Sequence, residues 1–194
     1  PVPEWVLFLG KYLGLGVLLV TFMLVLTATG MLTQTLNGYH DFEIGRYFQL
    51  LFAFQLPEYL LFAMLVLAIQ VVTDHKYVGQ LAALIAYLLI VFSGVLGIHH
   101  NLLVYGAGPA WAFTDMRGFA GTVGPWGWFK LYWAAWALLL AVAATMLWVR
   151  GRETGLKVRL GIARLRFTPA MTKLPAMTVG LIVVLGGFVF YNTN

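Results

Sequence analysis

The sequence has no cysteine, which removes disulfides, thiolate metal sites and cysteine nucleophiles together. Charge is scarce too: 10% of the residues are Asp, Glu, Lys or Arg, against about 25% in a soluble domain. No G-x-S-x-G elbow, Walker A loop or H-E-x-x-H helix occurs, so hydrolysis built on any of these three devices is not expected of this chain. Asp41 and Glu43 stand two apart, which points them to different sides of a helix and denies them the role of a paired acid and base.

What is there is apolar. The 194 residues are 61% hydrophobic, with a mean hydropathy of +0.87, the composition of an integral membrane protein. A helix needs about 20 mostly apolar residues to cross a bilayer. Five stretches qualify, roughly Trp5–Leu32, Leu56–Val72, Tyr77–Ile98, Gly127–Val149 and Leu174–Tyr191. The expected fold is therefore all-α, a polytopic bundle of about five transmembrane helices. Lys11, Glu58 and Lys130 lie near span ends, where interfacial anchoring is the plain reading; a charge at the bilayer centre would reverse it.

Orientation follows from the basic residues. The stretch 150–173 holds Arg150, Arg152, Lys157, Arg159, Arg164, Arg166 and Lys173 against the single acid Glu153, and the positive-inside rule assigns it to the cytoplasm. Counting back puts the start of the chain inside, Thr33–Gln55 outside, Thr73–Lys76 inside and His99–Trp126 outside; Tyr191–Asn194 emerges outside. Within the basic loop, Leu156, Leu160, Ala163 and Phe167 recur at helical spacing between Lys157, Arg159, Arg164 and Arg166. That pattern suits a short helix on anionic lipid headgroups, although alternation from Leu156 to Ile162 also fits a strand. No nucleic-acid partner is expected, because this basic face does not sit on a soluble domain.

The histidines are His40, His75, His99 and His100. All fall in loops or at span ends, and the fourth and fifth spans have none, so two helices cannot clamp a haem within the bilayer. A metal site from His40, Asp41, His99 and Asp115 lacks any recognised ligand spacing. Interfacial histidines are the default. No cofactor is expected in the chain itself.

Between the spans, Phe42, Tyr47, Leu51 and Phe54 recur at roughly helical spacing, the mark of an interfacial helix that feeds the second span through Pro57. The stretch Tyr105–Trp128 interleaves glycine and proline with aromatics, which indicates a turn-rich loop packed on the membrane surface. Asp115 and Arg117 are its only charges. Gly10, Gly14 and Gly16, with Gly94 and Gly97, stand at spacings that let helices approach closely.

"PVPEWVLFLGKYLG" resembles the end of a coupling segment and the start of the third helix in permeases of the type-2 ABC exporter class. "FQLPEYLLFAMLVL", "KYVGQLAALIAYLLI", "HNLLVYGAGP", "TDMRGFAG", "WFKLYWAAWALLL" and "WVRGRE" resemble one bacterial branch, in which permease regions are fused to a zinc aminopeptidase-like domain of the gluzincin type. The closing "GGFVFYNTN" is similar to the segment that leads into that domain. The likeness covers nearly the whole chain. It implies a partial permease domain over residues 1–149 with four transmembrane helices, a basic cytoplasmic loop at 150–173 and an extra helix at 174–194. The opening "PVPEW" and the closing apolar run both look cut, so a longer chain is expected.

The function implied is that of a permease component in the bacterial cytoplasmic membrane, driven by ATP hydrolysed in a separate subunit. The alternative is a membrane anchor for an outward-facing zinc aminopeptidase, without transport. Neither makes this chain an enzyme. An ABC ATPase subunit, the lipid bilayer and a second permease half or a homodimer partner are the implied partners. ATPase docking is expected at Pro3, Glu4, Trp5, Asp74 and Lys76, and outer-loop contacts at His99, His100, Asp115 and Arg117.

Overall fold

A computed structural model describes residues 3–73, 75–114, 116–148, 158, 161 and 169–193. Helix α1 (Glu4–Leu36) is followed by the short α2 (Ile44–Phe48), a π-helical segment (Gln49–Gln55) and α3 (Leu56–Thr73). Then come α4 (Lys76–Val91), α5 (Ala120–Leu147) and α6 (Pro169–Thr193). The described residues contain no strand beyond an isolated bridge between Thr114 and Gly118. The fold is all-α.

Four helical stretches are long and apolar enough to cross a membrane: Glu4–Leu36, Ile44–Thr73, Ala120–Leu147 and Lys173–Thr193. The apolar α4 is shorter, at 16 residues. About five membrane helices therefore fits, with three boundaries moved. The expected interfacial helix is continuous with the second span. Pro57 offers no amide to Ala53, and the switch to i→i+5 spacing falls on the residues just before it. The expected span Tyr77–Ile98 ends early, at Val91, where Ser93, Gly94 and Gly97 follow; Gly97 has φ +77°, a backbone setting that ends a helix. The fourth span starts early, at Ala120, because "AGTVGP" continues the helix through Pro125 instead of turning.

An apolar medium cannot hydrate hydroxyls, so each must find its acceptor in the chain. Along α1, Thr21, Thr27, Thr29, Thr33 and Thr35 each donate to the carbonyl four residues back. Thr178 does the same in α6. These residues therefore behave as apolar surface. Lys130 is the one charged side chain among the buried polar residues described, beside Thr27 and Thr178.

The chain forms two compact units, Pro1–Ala63 and Met64–Asn194. In the first, α1 runs antiparallel to the stretch that begins at α2. The Tyr12 hydroxyl donates to the Leu60 carbonyl at 3.3 Å, a Cβ on Gly16 would touch Leu60, and one on Gly30 would lie 3.0 Å from the Tyr47 ring. In the second, Gly79 closes the turn between α3 and α4, since a Cβ there would lie 2.7 Å from the Thr73 hydroxyl. Helices α5 and α6 are antiparallel, with Trp128 against Phe188 at 4.7 Å between ring centroids. Gly186 admits Tyr132, whose ring would lie 3.1 Å from an added Cβ. The close approaches thus fall at Gly30, Gly79 and Gly186. Gly10, Gly14, Gly94 and Gly97 have nothing within 4 Å of such a Cβ.

Adjacent glycines in α6 give a controlled test. Gly186→Leu drives a side chain into Tyr132 and should cost about 1–3 kcal/mol, read as a lower thermal midpoint in detergent. Gly187→Leu, which meets open space, should leave the midpoint unchanged or raise it through better helix propensity.

Candidate functional site

The densest assembly of polar and aromatic groups gathers where the first half of α5 meets the second half of α6 and the segment Phe92–Phe119. Phe129, Lys130, Tyr132 and Trp133 are all buried. Tyr132 and Trp133 meet edge to face at 4.9 Å, and Tyr105 packs edge-on against Trp133 at 5.2 Å. Such pairs add to burial through the quadrupoles of their rings.

Lys130 stands ten residues after the first residue of α5, not at a span end, and is 8% exposed. Its ammonium donates to the Gly106 carbonyl at 2.5 Å and lies 5.5 Å from the centre of the Trp126 ring. A carbonyl dipole and an aromatic face are what a desolvated cation needs. Lys130, expected to anchor at the interface, is thus held by the chain's own carbonyl and ring. With "AGTVGP" helical, Lys130 stands about two turns further into its helix than a start at Gly127 implies. Gly106 can receive the ammonium because its φ of +75° turns the chain back toward α5, and a Cβ on Gly108 would already touch Phe129 and Lys130.

The paired histidines lie on the same segment. His99 is exposed and His100 half-buried. The Nδ1 of His100 accepts from the Leu102 amide at 3.1 Å, and its ring stacks on Phe190 of α6 at 6.1 Å. His100 therefore closes a turn and covers the end of α6. Among the described residues no three His, Asp or Glu side chains converge as a metal site would require. Arg117 is exposed in the turn that the Thr114–Gly118 bridge closes, and Phe119 anchors that turn against Trp111 and Phe113.

Of the residues expected to dock an ATPase, Pro3 and Lys76 are exposed, Glu4 is half-buried and Trp5 is 58% exposed at the start of α1. The Lys76 ammonium lies 6.0 Å from the Tyr77 ring. Asp74, Asp115, Lys157, Arg159, Arg164 and Arg166 lie outside the described residues. A cavity of about 360 Å³ opens between α5 and α6, walled by Pro125, Trp128, Phe129 and Phe188, with Asn192 and Thr193 at its polar end. The side chains of Asn192 and Thr193 donate to the Phe188 and Val189 carbonyls, which leaves Asn192 a second amide N–H and its oxygen.

No family model, curated protein or solved structure matches the chain.

Lys130 makes the attachment of the Gly106 turn testable. Lys130→Met removes the donor and should speed amide exchange over residues 103–108 by about tenfold, the equivalent of 1.4 kcal/mol of lost protection. Exchange in the last turns of α5 should stay unchanged, and Lys130→Arg should recover much of the protection.

Proposed function

We propose that this chain is the membrane-spanning part of a type-2 ABC-type permease, working with a separate ATP-hydrolysing subunit. The observation that carries the reading is the helix order. Helix α1, the stretch Ile44–Thr73, α4, α5 and α6 follow one another in that order, and α5 and α6 run antiparallel. If each traverses the bilayer once, the start of α1, the α3–α4 turn and the basic stretch 150–173 share one side. The aromatic segment 92–119 and the end of α6 then share the other, and the positive-inside rule makes the basic side cytoplasmic.

That arrangement offers a docking partner two features on the inner side. Trp5 is a largely exposed aromatic beside Glu4 in the first turn of α1, where an acid complements the helix dipole. Lys76 opens α4 after a two-residue break in the helices. Short helix starts and tight turns at a cytoplasmic face suit force transmission because they move as rigid bodies with their helices. The energy source must be external, since the chain has no phosphate-cradling loop.

Co-expression with a candidate ATPase subunit tests the reading. Glu4→Ala with Trp5→Ala should cut retention of that subunit about tenfold, the effect of losing one aromatic anchor worth about 1.4 kcal/mol or more. Unchanged retention would count against docking at this surface. Failure of every candidate cargo to stimulate ATP hydrolysis in the reconstituted complex would favour the anchoring role over transport.

A further inference from the structure

Helices α5 and α6 touch through Trp128 and Phe188, whose ring centroids stand 4.7 Å apart. Beside that contact lies the cavity of about 360 Å³, walled by the buried Phe129 and Val189, the partly exposed Trp128 and Phe188, and Pro125. Gly124 completes the wall, and a Cβ on it would meet nothing within 4 Å. Asn192 and Thr193 stand at one end. No Asp, Glu, Lys or Arg is among the described residues that line the cavity. A phosphate or an ammonium therefore finds no counter-charge there, whereas a hydrocarbon chain finds rings and an isopropyl group.

Two observations say what fills it. Both walls belong to stretches long and apolar enough to cross a membrane, so lipid is what reaches the opening. The level of the polar end narrows the choice further. Lys173–Thr193 is 21 residues long and rises about 32 Å, which matches the roughly 30 Å of a hydrocarbon core. A cavity that ends at Asn192 and Thr193 thus ends where acyl chains join their glycerol esters. Thr193 spends its hydroxyl on the Val189 carbonyl, and Asn192 spends one amide N–H on the Phe188 carbonyl. The second N–H of Asn192 remains to donate.

We propose that this cavity holds one acyl chain of a membrane phospholipid, with the second Asn192 N–H donating to the ester carbonyl at the head of that chain. The chain lies along Phe129 and Val189, and Trp128 and Phe188 form its rim. The bound lipid is then part of the contact between α5 and α6. The site needs only that these two helices cross a bilayer, and it is independent of any ATPase partner.

Native mass spectrometry of the intact chain in non-ionic detergent, titrated with a diester phosphatidylcholine or with its diether analogue of equal chain length, reads both contacts. The diester should bind about fivefold more tightly, the worth of one neutral hydrogen bond, and Asn192→Leu should erase that preference. Gly124→Leu puts a side chain where the acyl chain lies and should weaken both lipids about tenfold. Its thermal midpoint should stay unchanged or rise through better helix propensity. Gly187→Leu, which meets open space and does not line the cavity, should bind both lipids as the unaltered chain does. Undiminished binding by Gly124→Leu, equal weakening by Gly187→Leu, or an ester preference that is absent or survives Asn192→Leu overturns the proposal. So does a lipid-free dimer that dissociates in Gly124→Leu, which would give the cavity to a second copy of the chain.

Discussion

A lysine ammonium shielded from water beside a tryptophan ring must meet an oxygen. The Lys130–Gly106 bond answers that need, and much of the second unit is arranged around it. Gly106 takes a positive φ where its carbonyl meets Lys130, Gly108 passes close to Phe129, and Tyr105 is laid against Trp133. Residues 99–109 contain no helix, yet they are held as closely as one.

The same economy governs the polar groups elsewhere. Threonine hydroxyls along α1 and α6 turn inward on their own backbone, leaving those surfaces effectively aliphatic. Helix contacts rely on shape: a ring of one helix enters the space left by a glycine of another, as Tyr47 does at Gly30 and Tyr132 at Gly186. This is the packing expected where lipid tails are as apolar as leucine and burial gives no advantage of its own.

The all-helical, membrane-type architecture was legible because it rests on long-range composition, and Leu, Val and Ala runs of twenty residues have few other uses. Boundaries were less legible. "AGTVGPWGW" contains glycine and proline at turn-like density, yet it is helical because Pro125 lies near the helix start, where few of its bonds are lost. Conversely "VFSGVLGIHH" reads as helix by hydropathy, and its two glycines break it. The glycines that admit partner rings could not be told from the others, since Gly14 and Gly30 differ only in which residue stands opposite. The partners of Lys130 were not legible either, since Gly106 lies 24 residues away.

The early end of α4 has a mechanical meaning for the surrounding lipid. Sixteen helical residues rise about 24 Å, short of the roughly 30 Å of a typical hydrocarbon core. A short apolar cylinder imposes hydrophobic mismatch where it meets lipid. The bilayer there thins, or draws the apolar turns after Val91 into its boundary layer. Acyl-chain length thus becomes a variable that acts on α4 more than on α1 or α5, whose helices are long enough to cross.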